Sequence, residues 1–340
     1  MIDLLRELGE PPFRARQIAE WKYRKLAGGY DEMRNVPLAL REELERRQPF
    51  STVTCARELE SADRCTTKFL FRLHDGQLIE SVLMRQQGAH ETAPRNTVCA
   101  SSQAGCKMRC SFCATGHGGW RRDLTPDEIV DQVLHSARRL KEEGARVTNV
   151  VFMGMGEPLD NYENVLAAVR TLNAPDGFGL GARNITVSTC GLVPEIRRLA
   201  REPVQVNLAV SMAAVTDERR DELIPINRRW PIHELLAACD DYAQTTRRRV
   251  TFEYVLIAGV NDSVEEAERL AGLLRGRLAH VNLIPLNPVA GDAYRRPDEA
   301  AVRRCEAVLR AARIPVSVRY SKGTDIVAGC GQLRAEALSA

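Results

Sequence analysis

The stretch NTVCASSQAGCKMRCSFCATG, residues 96–116, holds four cysteines within fifteen residues. Three of them, Cys106, Cys110 and Cys113, form a Cys-x3-Cys-x2-Cys pattern, and Cys99 stands seven residues upstream. Their neighbours are Gly-rich, basic and irregular, unlike the apolar strand or helix that would bury small inert thiols. Structural zinc takes four ligands, usually as two pairs, and the tight group supplies three. Three thiolates on a cubane 4Fe–4S cluster leave one iron open, able to chelate a small molecule and pass it one electron. An iron–sulfur centre is therefore the favoured reading, with zinc and inert thiols as rivals.

Composition sets the surroundings of that loop. A chain of 340 residues has room for one large domain and a smaller one. No apolar run reaches eighteen residues, so no membrane span is expected. The opening MIDLLRELGEPPFRARQ lacks a basic segment followed by an apolar core, so no secretory signal is expected. A reducing cytoplasm follows by default, and ten cysteines there are poor candidates for disulfide staples. Arg14, Arg16, Lys22, Arg24 and Lys25 crowd the N-terminal segment. Such a crowd reads as a solvated helix face, with nucleic-acid contact as the alternative.

Outward from the cysteines the pattern changes. Residues 1–48 read as short helices, with apolar residues at helical spacing in RARQIAEWKYRKL and PLALREELERR. TTKFLFRL (66–73) and QLIESVLM (77–84), joined by His74-Asp75-Gly76, read as a β-hairpin. The polar residues 85–96 read as a linker. From residue 96 onward, apolar runs at 147–153, 184–189, 204–210, 250–257, 280–286 and 314–320 alternate with helical patterns such as 125–143 and 263–278. That alternation predicts a parallel α/β sheet, a partial (β/α)6 barrel rather than a closed eight-fold one. Reactive residues collect at the C-terminal ends of such strands. Gly156-Glu157-Pro158, Ser188, Ser211 and Asn287 all stand there.

The cysteine loop, with Phe112 before its last cysteine, resembles the signature of the radical S-adenosylmethionine (radical SAM) enzymes. MGMGEP (153–158), after the next strand, is similar to that family's turn for the amino group of the cofactor's methionine moiety. CASSQAGCKMRCSFCATG, VFMGMGEPLDNYENV, ITVSTCGLVPEI, RDELIPIN, NLIPLNP and GTDIVAGCGQL together resemble the RlmN/Cfr methyltransferases nearly end to end. LGEPPFRARQIAEWKYRK resembles that family's helical accessory domain. The resemblance implies an accessory RNA-binding domain at 1–48, a hairpin and linker at 49–95, the radical SAM partial barrel at 96–320 and a catalytic-cysteine segment at 321–340.

It also implies a chemistry. Carbon 2 of adenine lies between two electron-withdrawing nitrogens and is no nucleophile, so its methylation calls for one-electron chemistry. By resemblance Cys106, Cys110 and Cys113 hold a 4Fe–4S cluster, and two S-adenosylmethionine molecules serve each turnover. The first methylates Cys330. The second yields a 5′-deoxyadenosyl radical that takes a hydrogen from the S-methyl group, and the resulting methylene adds to adenine. Cys99 then resolves the protein–RNA link by forming a disulfide with Cys330, and Glu80 accepts the ring proton.

Cofactor contacts carry over to Gly156, Glu157, Ser188, Ser211, Met212, Ala213 and Asn287. Two departures stand out: SMAA replaces the family's SLHA, putting Ala213 at a histidine position, and STCG replaces STSG at Cys190. His117 reads as a loop residue. The implied partners are 23S ribosomal RNA, some transfer RNAs, and a one-electron reductant such as flavodoxin or ferredoxin. No membrane contact and a monomer are expected. Arg95, Arg121, Arg122 and the N-terminal basic group are the candidates for phosphate contact. Carbon 8 of adenine, as in the antibiotic-resistance branch, is the rival target; a zinc RNA-binding module without catalysis is the rival class.

Overall fold

In a computed structural model, which describes residues 1–87, 94–289, 291 and 293–334, the first fifty residues bury their own apolar stripe. Helices Ile2–Glu7, Phe13–Ala19 and Leu38–Arg47 enclose Leu5, Ile18, Tyr30, Met33, Leu44 and Phe50. Phe13–Ala19 continues into a wider π turn at Glu20–Arg24. This unit docks through the cations that the sequence suggests for solvent or RNA. Lys22 Nζ lies 3.0 Å from the buried Asp131 Oδ1. Arg24 donates to the carbonyls of Pro175 and Phe178. Lys22 and Arg24 are thus contacts to the rest of the chain, not a free basic face.

Among the described residues twelve strands follow: β1 (Val53–Glu60), β2 (Thr66–Leu73), β3 (Leu78–Gln86), β4 (Arg95–Cys99), β5 (Gln103–Gly105), β6 (Trp120–Asp123), β7 (Asn149–Phe152), β8 (Ile185–Thr189), β9 (Asn207–Ser211), β10 (Val250–Leu256), β11 (Ala279–Pro285) and β12 (Val316–Val318). Ten form one sheet in the order β1-β2-β3-β4-β7-β8-β9-β10-β11-β12, and β5 and β6 form a separate ribbon. The first four pair antiparallel. From β4 onward every pairing in that sheet is parallel, and the β5–β6 ribbon is antiparallel.

The expected hairpin is β2–β3, with Leu70 opposite Glu80 and its turn closed by Gly76 at φ 80°. β1 is an additional strand. The expected linker is shorter than read: residues 85–86 extend β3, 95–96 open β4, and 88–93 lie outside the described residues.

Helices cross between the parallel strands and cover their outer face, so strands such as Val150-Val151-Phe152 are apolar on both sides. Pro126–Glu142 shows how the sequence starts such a helix. Thr125 Oγ1 accepts from the Glu128 backbone N–H at 3.3 Å, and Glu128 Oε2 accepts from the Thr125 N–H at 2.9 Å. Two arginine Nη atoms of Arg122 then hold Glu128, each at 2.8 Å, and its Nε holds Asp75 at 2.5 Å. Arg122, a candidate for phosphate, is occupied by structure. Among the described residues no helix is long and apolar enough to cross a membrane.

Candidate active site and cofactor pocket

The cysteine loop leaves β5 at Gly105, whose backbone sits at φ 80°. A Cβ there would lie 1.9 Å from the Gly119 carbonyl oxygen, so only glycine lets the loop close on itself. Cys106 N–H donates to Gly119 O at 3.0 Å, and Cys113 N–H to Cys110 O at 3.2 Å. Cys113 leads into the short helix Ala114–His117, so His117 is helical rather than in a loop. Its Nε2 lies 3.0 Å from Ser111 O.

Burial pushes the Cys106 thiol up to about 12 and the Cys110 thiol well above its ordinary range, with the Cys113 sulfur adding to both. Thiolates so placed need a cation to hold them. Among the described residues no three His, Cys, Asp or Glu side chains converge on a point suited to one metal ion. The donor set is three thiols spread along one loop, and Cys99 stands apart on β4. That suits a polynuclear cluster with one open iron better than tetrahedral zinc.

The turn after β7 is tied to the chain that follows β4. Gly154 N–H donates to Ala100 O at 3.2 Å, Ser102 N–H to Met155 O at 2.8 Å, and Glu157 N–H to Gln103 Oε1 at 2.9 Å. Gly156, at φ 101°, has no room for a side chain: its Cβ would lie 2.6 Å from the Cβ of Gln103. Glu157 is 3% exposed, and its oxygens accept the backbone N–H groups of Leu159 at 3.0 Å and Cys190 at 2.8 Å. Burial raises its carboxyl despite those bonds. A buried carboxylate so placed is complementary to an ammonium group. Cys190, the departure from STSG, hydrogen-bonds Glu157 through its thiol as well as its backbone.

The next two strand ends are joined by a residue that the sequence does not announce. Arg220 is fully buried. Its Nη2 donates to Cys190 O at 2.6 Å and Ser211 O at 3.0 Å, its Nε to Met212 O at 3.2 Å, and its Nη1 to Asn227 Oδ1 at 2.9 Å. Asn261 Nδ2 donates to Ala213 O at 2.7 Å. The carbonyls of the 211–213 run are thereby fixed by the protein. Ala213 is buried at φ 55°, so the SMAA departure keeps a shaped backbone without an imidazole. Ser188 stands half-buried on β8 beside Ala209 of β9. Asn287, just past β11, donates from Nδ2 to Cys330 O at 3.0 Å and Ser321 Oγ at 2.7 Å, while its buried Oδ1 has no partner. An orphaned acceptor in such a basin fits a donor on a bound small molecule.

The catalytic candidates come from far apart in the chain. Cys99 is the last residue of β4 and is buried, and burial pushes its thiol up to about 12, with the Cys330 sulfur adding to the effect. Cys330 retains exposed surface, yet enough protein surrounds it that burial raises its thiol too. Both are free thiols. Glu80 is buried on β3, with Oε1 3.0 Å from Lys68 Nζ and Oε2 accepting the Arg334 N–H at 2.9 Å. The Cys330 segment also meets the cysteine loop, since Ala114 N–H donates to Gly331 O at 2.8 Å. Beside these groups lies a cavity of about 590 Å³ lined by Arg57, Lys68, Glu80, Ala114, Val327 and Arg334. The sequence does not single out Lys68, Arg220 or Asn261; all three look like ordinary surface residues in one dimension.

A barrel of this form, with three thiols in one loop and a carboxylate turn after the next strand, defines a radical SAM core. The Radical SAM superfamily matches residues 101–271, and the ribosomal RNA large subunit methyltransferase N-terminal domain matches residues 1–48. The chain is 51% identical to a probable dual-specificity RNA methyltransferase RlmN of Moorella thermoacetica, covering 98% of this chain and 94% of that protein. It is 48% identical to the dual-specificity RNA methyltransferase RlmN of Anaeromyxobacter dehalogenans, over 99% and 90%. Among solved structures, a radical SAM methyltransferase from Sphaerobacter thermophilus superposes with a TM-score of 0.95 at 54% identity, covering 98% and 96%. The chain belongs to the RlmN family of radical SAM methyltransferases, whose cofactors are a 4Fe–4S cluster and S-adenosylmethionine.

Proposed function

We propose that this protein methylates carbon 2 of an adenine in 23S ribosomal RNA, and of an adenine in some transfer RNAs, in the cytoplasm. The observation that carries the reading is the path of the C-terminal segment. It touches the cysteine loop at Ala114, holds Cys330 within electrostatic reach of Cys99, and reaches Glu80 through Arg334. Cys106, Cys110 and Cys113 would hold the cluster; Gly156, Glu157, Ser188, Ser211, Met212, Ala213 and Asn287 would line the cofactor. The cluster supplies one electron to S-adenosylmethionine, opening carbon-radical chemistry to an atom that no displacement reaches.

The chain's own groups do the rest. The Cys330 sulfur takes a methyl group by displacement. That methyl would give up one hydrogen atom to the carbon radical, the remaining methylene would bond to the ring carbon, and one electron would return from the adduct to the cluster. The flipped-out adenine enters the cavity beside Glu80, whose carboxylate removes the ring proton. The Cys99 sulfur then bonds to the Cys330 sulfur. The carbon–sulfur bond to the base breaks, and the carbon collects a proton to complete the methyl group. An external dithiol returns the disulfide to two thiols before the next turnover. The Lys68 ammonium, 3.0 Å from Glu80 Oε1, holds that carboxylate in place.

Mass spectrometry of nucleosides from RNA treated with cluster-loaded enzyme and a one-electron reductant such as flavodoxin tests the reading. 2-Methyladenosine is expected; 8-methyladenosine alone would overturn the choice of carbon.

A further inference from the structure

One buried carboxylate in the barrel has no part in the roles above. Glu253, on β10, is 6% exposed. Its neighbour Tyr254 faces the helices, within electrostatic reach of Glu266 and Cys305. The strand pleat therefore turns Glu253 to the inside, where it acts on Cys330 and is acted on by Arg319. Its Oε1 accepts from Asn282 Nδ2 at 2.9 Å. Asn282 Oδ1 accepts in turn from Ser317 Oγ at 2.6 Å, and that hydroxyl lies 2.9 Å from His280 Nε2. This chain of polar contacts spans β10, β11 and β12 and fixes the carboxylate. Its Oε2 is buried without any partner. A buried carboxylate oxygen left unsatisfied is costly, and burial raises the carboxyl accordingly.

Position narrows what Oε2 would meet. Glu253 is level with Ser211 of β9, and its carbonyl accepts the Met212 N–H at 3.0 Å. Glu80, the proposed base, lies outside the parallel part of the sheet, on β3. Glu253 therefore stands level with the proposed cofactor contacts at the end of β9, beside Cys330. The donors on S-adenosylmethionine are an ammonium, a ribose diol and a ring amine. The ammonium belongs at Glu157 after β7, three strands or roughly 14 Å along the sheet from β10. An alcohol is the natural donor to a carboxylate oxygen level with the serine at the end of β9. We propose that Glu253 Oε2 accepts a hydrogen bond from a ribose hydroxyl of S-adenosylmethionine. The inference rests on the reading that 211–213 and Asn287 line that cofactor.

Equilibrium dialysis on the cluster-loaded enzyme tests it, with S-adenosylmethionine and its 2′-deoxy and 3′-deoxy analogues as probes. Wild type is expected to bind one of the deoxy analogues about tenfold more weakly than the parent. Glu253→Gln is expected to weaken binding of the parent by a similar factor and to lose that discrimination. Wild type that binds both analogues as tightly as the parent refutes the proposal without any variant. So does Glu253→Gln with undiminished discrimination, whether affinity is unchanged or falls equally for all three probes. Glu253→Asp, which withdraws the oxygen and keeps the charge, is read the same way if the Gln variant does not fold. Asn287→Ala separates the two levels. Weakened binding there, with Glu253→Gln unaffected, sinks this proposal alone; no change in either sinks the assignment of the cofactor site.

Discussion

Cys99 and Cys330 are held in opposite ways. Cys99 ends a strand flanked on both sides, by Val82 of β3 and Val151 of β7, and its carbonyl accepts the Ser81 hydroxyl at 2.9 Å. Cys330 lies between two glycines in a segment kept down by scattered polar contacts. Lys68 Nζ donates to Val327 O at 3.1 Å, Gln332 Nε2 to Pro288 O at 2.9 Å, and Thr115 Oγ1 to Leu333 O at 2.5 Å. A strand core opens only with the fold, whereas a few exchangeable hydrogen bonds open locally. One thiol is fixed and the other is held loosely, as the proposed methyl carrier and its proposed resolving partner require.

The largest expected effect falls on the loosely held thiol. Cys330→Ala should abolish product and leave no labelled methyl group on the protein after incubation with S-adenosylmethionine, while stability stays within about 0.5 kcal/mol because the side chain is exposed on a loop. A fall of several degrees in Tm would contradict the contrast between the two regions.

Glu80→Gln comes next, with turnover about 10²–10⁴-fold slower and methylation of Cys330 intact. Single-turnover kinetics with labelled methyl would separate the two steps.

On the fixed side the effects should be on stability. Arg220→Met removes the side-chain donor that the carbonyls of Cys190, Ser211 and Met212 share, although Met212 O keeps the Ala214 N–H. Urea unfolding should show a loss of about 3 kcal/mol. His135, packed on β2, offers a pH-dependent test of the sheet core. It packs edge-on against Phe69 and Phe71, and burial pushes its imidazole down to about 4. The unfolded chain takes up this proton first, near pH 6.5, so stability present above that pH is lost as pH falls toward 4, by up to about 3 kcal/mol. His135→Leu should remove that part of the slope when unfolding is followed from pH 7 to 4.5.

These contrasts also mark what one dimension conceals. The cysteine loop, the Gly156-Glu157 turn and the β2–β3 hairpin were legible because each depends on local spacing or on glycine geometry. β1 was not: VTCARELE is an edge strand whose charged residues stay in solvent, so it carries no apolar alternation. Lys22, Arg24 and Arg122 read as free cations because their partners, Asp131, the Pro175 carbonyl and Glu128 with Asp75, are distant or themselves unremarkable in sequence. Arg220 and Glu253 were hidden for the same reason. Burial of a charge is a property of the assembled barrel.

The claim that one thiol carries and the other resolves is tested most directly with Cys99→Ala. Cluster-loaded Cys99→Ala, incubated with substrate RNA, S-adenosylmethionine and reductant, should accumulate a covalent protein–RNA species on a denaturing gel, sensitive to ribonuclease and absent when Cys330 is also replaced by Ala. Free methylated RNA at the wild-type rate, with no covalent species, would contradict the account.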